Sequence, residues 1–203
     1  MFTENLELLN LAIRSEQHHA FADQEFFHLC MVFATHAENI LEYGTRFGFS
    51  ACLLAYAQKK LLKNGKVYSV DMADQSEAKS WADRFHLRNI EFTRSLTWDY
   101  THSVQTYDYI FLDASHDYEG WKKELISVFP YVTKHTLIAV HDTPESADWK
   151  RVEKEMLGDF QSLLLPHLGM TLLSLTRGAD FPLNFVAEGR LRLNENWNKE
   201  LKT

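Results

Sequence analysis

The stretch from Asn39 to Leu54 constrains the fold of this chain more than any other, because it reads as a strand, a glycine-bearing turn and the start of a helix. Gly44 and Gly48 lie in the turn. Glycines at such a junction let a ligand approach the backbone amides at the helix N-terminus. The stretch therefore predicts the nucleoside-type pocket of an open α/β sheet.

Strand-like and helix-like segments alternate after this turn. Predicted strands cover 39–43, 66–71, 89–93, 107–113, 136–141, 170–175 and 181–187, and predicted helices cover 48–63, 75–86, 117–129 and 145–161. Such alternation predicts a parallel sheet with helices on both faces. We expect the last two strands to form an antiparallel hairpin through a turn at Gly178. The predicted fold is a Rossmann-like, doubly wound, seven-stranded α/β sheet, mostly parallel with an antiparallel C-terminal strand.

Length and composition favour one compact unit, since 203 residues that are 45% hydrophobic suit one domain with a sizeable core. We expect a single domain over 1–203, with an N-terminal helical cap at 1–38 (helices over 4–18 and 22–36), a core at 39–187 and a tail at 188–203.

The net charge and the N-terminal sequence limit the classes of partner that this chain is expected to bind. A formal charge of −7, from 21 Lys+Arg against 28 Asp+Glu, argues against a nucleic-acid-binding surface and favours a small-molecule partner. The N-terminus lacks a basic segment followed by an apolar run, and no window approaches the ~18 apolar residues that span a bilayer. We expect a cytoplasmic protein without a membrane partner.

Ligands of open parallel sheets bind outside the carboxyl ends of the strands, so the side chains there are the candidates for chemistry. They are Gly44 to Gly48, Asp71, Ser95, Asp113 to His116, and His141 with Asp142. Asp71 follows a glycine turn on the preceding strand, which favours a ribose contact over a merely solvated acid. Arg46 occupies the position of the middle glycine in a dinucleotide fingerprint, so NAD or FAD binding is disfavoured.

Two motifs carry a family resemblance over about residues 38–145. Glu42-x-Gly44-x-x-x-Gly48-x-Ser50 resembles the first motif of class I S-adenosylmethionine-dependent methyltransferases, notably the small-molecule O-methyltransferases related to catechol and caffeoyl-CoA methyltransferases. Asp113-x-x-His116-x-Tyr118, followed by His141-Asp142-Thr143, is similar to a pattern of bacterial small-molecule methyltransferases that include the macrocin-type sugar O-methyltransferases.

This resemblance implies S-adenosylmethionine as the cofactor. The turn would bind its methionine part, Asp71 its ribose, and Met72, Ser95 and Leu96 would flank its adenine. The full set of cofactor-binding residues that it implies is Glu42, Gly44, Thr45, Gly48, Ser50, Asp71, Met72, Ser95, Leu96 and Asp113.

A divalent metal, Mg²⁺ or Mn²⁺, is also implied, because catechol-type relatives hold magnesium at positions that correspond to Asp113, His141 and Asp142. His141 replaces an oxygen donor, and Mg²⁺ prefers oxygen ligands. A softer divalent ion, a site built from Asp113 and Asp142 alone, and no metal at all therefore remain open.

The predicted catalytic residues are His116 and Asp142. His116 stands where the catechol-type relatives place a lysine that takes the proton from the acceptor hydroxyl, and an imidazole with a pKa near ~6.5 suits that task. A supporting or metal-bound role for His116, with Asp142 or His141 as the base, remains open.

The function that follows is methyl transfer from S-adenosylmethionine to a hydroxyl of a small molecule, with or without the help of a divalent metal. The alternatives are a metal-independent N- or sugar methyltransferase and a non-catalytic S-adenosylmethionine-binding module; the missing glycine weighs against an oxidoreductase. We expect the acceptor to be selected by the N-terminal helices and by loops near 94–106 and 143–149. Relatives are often dimers, which makes a homodimer an expectation.

Overall fold

A computed structural model of the chain describes residues 27–28, 31–32, 35–61 and 64–175, together with the backbone of two short strands at 183–185 and 191–193. The predicted helix 4–18, most of the predicted helix 22–36 and nearly all of the tail at 188–203 lie outside the described residues.

Strands and helices alternate as the sequence predicts. The strands are β1 (Asn39–Tyr43), β2 (Lys66–Asp71), β3 (Ile90–Arg94), β4 (Tyr109–Leu112), β5 (Leu137–His141), β6 (Gln161–Leu165), β7 (Met170–Ser174), β8 (Leu183–Phe185) and β9 (Leu191–Leu193), and the helices are α1 (Phe49–Leu61), α2 (Ser76–Arg84), α3 (Tyr118–Val128) and α4 (Ala147–Met156). Asp117 caps α3 by accepting a hydrogen bond from the amide of Gly120, and Ser146 caps α4 in the same way. In the described part of the chain, no helix is long and apolar enough to cross a membrane.

The main sheet has seven strands in the order β3-β2-β1-β4-β5-β7-β6. Strands β1 to β5 pair in parallel, and β7 runs antiparallel to both of its neighbours. The prediction of a mostly parallel seven-stranded sheet with an antiparallel C-terminal strand is confirmed. The strand order reverses between β1 and β4, and such a switch point opens a crevice at the carboxyl ends of the strands.

Helices cover both faces of the sheet, so the central strands are buried on both sides. Alternate residues of β4 belong to two separate apolar clusters. Tyr109 and Phe111 pack with residues of α1, while Ile110 and Leu112 pack with Trp121 of α3 and with α4. Two such faces hold the strand ends rigidly, and the functional side chains project from those ends.

The predicted hairpin between 170–175 and 181–187 is wrong. Strand β7 pairs with β6, which follows α4, and the two are joined by a 3₁₀ turn over Pro166–Leu168. The 145–161 segment predicted as helix ends as a helix at Met156. Strand β8 pairs instead with β9 in a separate two-stranded sheet. No strand is predicted over 162–169, because β6 is a short, partly exposed edge strand whose three leucines give too weak a pattern to assign.

Candidate active site

The turn after β1 depends on Gly44, which has a φ of +98°. A Cβ atom at this position would lie 2.3 Å from the carbonyl oxygen of Asp113, so only glycine lets the ends of β1 and β4 approach this closely. Gly48, with a φ of +87°, packs in the same way against Ala78 of α2. The turn is therefore pressed against the end of β4 on one side and against α2 on the other.

Asp71, at the carboxyl end of β2, holds this turn. Its Oδ2 accepts hydrogen bonds from the backbone amides of Thr45 and Arg46, both at 2.9 Å, and its Oδ1 accepts one from the amide of Ala73 at 2.8 Å. Arg46 itself adopts a left-handed φ of +45°. The acid and the turn thus form one rigid unit beside the crevice.

Beneath the turn lies a buried polar network centred on Glu42. The carboxylate accepts hydrogen bonds of 2.5 Å from the hydroxyls of Ser50 and Ser69. The Ser69 hydroxyl also lies 2.6 Å from that of Thr45, which Gln75 contacts at 2.7 Å. The structure thus places Glu42, Thr45 and Ser50 where they support the turn, and direct cofactor contact by these three stays a prediction.

Burial raises the pKa of Glu42 to about 7, although its two hydroxyl donors oppose the shift. The folded protein therefore holds a proton on Glu42 at pH values where the unfolded chain has lost it. Between 4.5, the ordinary pKa of a glutamate, and about 7, the contribution of Glu42 to the free energy of unfolding falls as the pH rises, and above this window it is constant.

We accordingly expect the Glu42→Gln variant to gain stability relative to the wild type as the pH rises from about 4.5 to about 7.5. The relative gain should reach about 3 kcal/mol, because one pKa unit corresponds to about 1.4 kcal/mol. Urea denaturation across this range measures it. Glu119→Gln, at an exposed position of α3, is the matched control. A constant difference between the Glu42→Gln variant and the wild type at all pH values would contradict the prediction.

A cavity of about 290 Å³ opens at the switch point. It is lined by the predicted cofactor residues Gly44, Asp71, Met72, Leu96 and Asp113, and also by Arg46, Thr97, Trp98, Ala114, Ser115 and Glu124. Its volume is near the lower end of the ~300–1,000 Å³ typical of small-molecule sites. Ser95 and Gly48 are close in sequence to this lining without belonging to it. Glu124 was missed because an acid on a helix has no sequence signal that separates it from a surface charge.

Next to the cavity, four side chains form what we call the acid–histidine cluster: Asp113, His116, His141 and Asp142. Nδ1 of His141 lies 3.0 Å from Oδ1 of Asp113 and 3.2 Å from Oδ1 of Asp142. Nε2 of His116 lies 3.3 Å from Oδ2 of Asp142 and 3.7 Å from Oδ1 of Asp113. Asp142 has a left-handed φ of +56°, a strained conformation that is concentrated at functional sites. The structure brings together every residue predicted for catalysis or metal binding.

Neighbouring opposite charges shift the pKa values of the groups in this cluster. Burial lowers the pKa of His141, but the Asp113 and Asp142 carboxylates outweigh burial and raise that pKa to about 10. Contact with Asp113 raises the pKa of His116 against the opposing effect of burial. Burial raises the pKa of Asp113, yet the two histidines hold it below its usual value. The carboxylates of this cluster therefore favour the binding of positive charge, either as protons on the histidines or as a metal cation.

The cluster also fits a metal ion. One ligand atom each from Asp113, His141 and Asp142 lie within 4.8 Å of one another. The buried Nδ1 of His141 makes no well-formed hydrogen bond with any residue that the structure describes, despite its two close carboxylate neighbours. This nitrogen and the two carboxylates together form a set of ligand atoms that suits a borderline divalent ion such as Mn²⁺.

The fold and the site together define a Rossmann-like protein with a small-molecule cavity at its switch point and an acid–histidine cluster beside it. A family model described as a methyltransferase domain matches residues 41–143, just over half of the chain. The chain therefore belongs to this methyltransferase family. The enzyme class predicted from the sequence is confirmed. No match was found among curated proteins.

Solved structures share the fold. The SAH-bound methyltransferase PaMTH1 of Podospora anserina is 12% identical, with a TM-score of 0.66 over 84% of this chain and 88% of that chain. The O-methyltransferase of Bacillus cereus in complex with SAH is 19% identical, with a TM-score of 0.64 over 84% and 91%. The O-methyltransferase TomG of Streptomyces achromogenes, involved in tomaymycin synthesis and complexed with SAM, is 18% identical, with a TM-score of 0.64 over 84% and 90%.

Proposed function

We propose that this protein transfers the methyl group of S-adenosylmethionine to a hydroxyl of a small molecule. The observation that carries the proposal is the double position of Asp113, which lines the cavity and also belongs to the acid–histidine cluster. A methyl donor in the cavity would thus lie beside groups able to bind and deprotonate an acceptor. The complexes of the Bacillus and Streptomyces O-methyltransferases with SAH and SAM support the choice of donor.

The cofactor roles follow the cavity lining. Asp71 accepts the ribose hydroxyls, since a carboxylate at the end of β2 is suited to a vicinal diol. Met72 and Leu96, which are 67% and 38% exposed at the rim, flank the adenine ring, and Ser95 supports them. The turn from Gly44 to Gly48 receives the methionine part.

Calorimetric titration tests the cofactor assignment. We expect S-adenosylmethionine and its demethylated product S-adenosylhomocysteine (SAH) to bind, and NADH not to bind. Absence of binding for both sulfur compounds would overturn the proposal. Binding without turnover on any hydroxylated acceptor would favour a non-catalytic binding module instead.

In the proposed reaction, the acceptor oxygen attacks the sulfonium methyl carbon while the carbon–sulfur bond breaks and its electron pair returns to sulfur. The acceptor proton passes to the imidazole of His116, whose Nε2 faces the Asp142 carboxylate at 3.3 Å. That carboxylate orients the ring and stabilises its charge once it is protonated. The remaining contribution is the alignment of donor and acceptor at close range, which by itself lowers the barrier substantially.

Asp113, His141 and Asp142 would hold a divalent ion. Such an ion, when bound, lowers the pKa of an acceptor hydroxyl and fixes its orientation. The imidazole among the three ligands favours Mn²⁺ over Mg²⁺, because nitrogen donors bind the softer ion better.

We expect Mn²⁺ to bind the wild type more tightly than Mg²⁺, and at about 100 times its Kd to raise the free energy of unfolding by about 2.7 kcal/mol. In the His141→Asp variant the preference should shift toward Mg²⁺. Calorimetry and electron paramagnetic resonance of Mn²⁺ measure this binding without any acceptor. His135→Asp, at an exposed histidine, is the matched control. A wild type that binds neither ion would remove the metal from the proposal and leave the cofactor assignment intact.

The acceptor site involves the N-terminal segment. We propose that 1–203 forms one methyltransferase domain in which residues 1–38 cap the acceptor side, and that the protein works in the cytoplasm as a homodimer. Burial of Phe27, Met31 and Val32 in the same apolar cluster as α1 supports the packing of this segment on the core. The net charge of −7 supports a small molecule rather than a nucleic acid as the acceptor.

A further inference from the structure

Glu124 of α3 is fully buried and lines the cavity. Its Oε1 accepts hydrogen bonds from the hydroxyls of Thr97 at 2.9 Å and Ser115 at 2.8 Å. Its Oε2, by contrast, is buried and has no hydrogen-bond partner among the residues that the structure describes. A residue that lines the ligand cavity thus carries one carboxylate oxygen without a donor.

A buried acceptor without a donor is costly, and the cost is greater for a charged group. The two hydroxyl donors satisfy Oε1, whereas Oε2 has no donor among the described residues. A ligand that brings an N–H group to Oε2 would remove the cost at the moment of binding. The unsatisfied oxygen therefore marks the position of a donor on the ligand.

The cavity lining indicates which donor this is. Met72, Leu96, Trp98 and Ala114 provide apolar surface for a flat ring, and Asp71 provides the polar contact suited to a ribose. The hydroxyls of Thr97 and Ser115 face Glu124 and not the turn, so Asp71 and Glu124 belong to two separate polar networks. Because both networks border one cavity, a nucleoside whose ribose meets Asp71 can present the far edge of its base to the second network.

We propose that Oε2 of Glu124 accepts a hydrogen bond from the 6-amino group of the cofactor's adenine. Glu124 then favours 6-aminopurines over 6-oxopurines, because at position 6 the former bring a donor to Oε2 and the latter bring an acceptor. This inference rests on the proposed use of S-adenosylmethionine and adds the residue that recognises its adenine.

A purely structural role for Glu124, as a link between the segments after β3 and β4, makes a different prediction. The Glu124→Gln variant keeps an oxygen that accepts from Thr97 and Ser115, and changes only the unsatisfied atom from an acceptor into an NH₂ donor. A structural role would change the affinity for all purine ligands in the same direction. Base selection would change the affinities for 6-amino and 6-oxo ligands in opposite directions.

The test is calorimetric titration of the wild type and Glu124→Gln with SAH and with its deaminated analogue S-inosylhomocysteine. We expect the wild type to prefer SAH by about 10- to 100-fold, because the interaction involves a charged acceptor. In Glu124→Gln this preference should vanish or reverse, with tighter binding of the inosyl compound. Glu119→Gln should retain the wild-type preference.

Two results would overturn the inference while leaving the proposed function standing: equal affinity of the wild type for both compounds, or an unchanged preference in a folded Glu124→Gln protein. A wild type that binds neither compound would overturn both the inference and the use of S-adenosylmethionine. The readout is the ratio of two affinities measured on the same protein. A general loss of stability would lower both affinities and leave this ratio unchanged.

Discussion

Replacing Asp113 with asparagine is expected to lower the rate of methyl transfer by about 10²- to 10⁴-fold, because it disturbs the neighbouring base His116, and a positioned acid–base group contributes a factor in this range. Oδ1 of Asp113 lies 3.0 Å from Nδ1 of His141 and 3.7 Å from Nε2 of His116. The neutral amide removes the charge that these histidines face and replaces one of the three metal ligands with a weaker, uncharged oxygen donor. The side chain changes little in shape, so the fold should persist.

SAH production from a panel of phenols, catechols and sugars measures this effect, after an acceptor of the wild type has been found in the same panel. Asp83→Asn, which removes an acid from an exposed ion pair with Arg88, is the matched control and should retain activity. We expect Asp113→Asn to bind SAH and to bind Mn²⁺ more weakly than the wild type, because the amide oxygen carries no charge. Full activity in this variant would show that the acid–histidine cluster is not the reaction centre.

Replacing Gly44 with alanine is expected to destabilise the protein by about 2–5 kcal/mol, from the combined cost of overpacking and of a left-handed residue with a side chain. The added methyl group would lie 2.3 Å from the carbonyl oxygen of Asp113. This is a backbone atom, which cannot move without a shift at the end of β4. SAH affinity should fall with it, since the turn and the end of β4 must separate.

Gly158→Ala is the matched control, because a Cβ at Gly158 meets no heavy atom within 4 Å and its φ lies outside the left-handed range. This variant should differ from the wild type by less than about 1 kcal/mol and be neutral or slightly stabilised. Urea denaturation of the two variants gives the comparison. Similar stabilities for both would show that the contact between the turn and β4 relaxes easily.

The strand ends were predictable from the sequence because each ends an apolar run with a polar residue. Parallel register then places Asp71, Asp113 and His141 along one edge without further information. The partner of β7 was not predictable, since the short apolar run of β6 has no clear period. Glu124 was not predictable either, because its burial depends on how α3 packs against the segments after β3 and β4.

The contact between Gly44 and Asp113 also bears on how such an enzyme changes its acceptor over evolution. The turn after β1 and the end of β4 share one backbone contact with no room for a side chain, so neither can shift without the other. Under the proposed function, substitutions at this contact would disturb the cofactor turn and Asp113 together. Changes of acceptor are therefore expected at other positions, such as the loops that follow the strands.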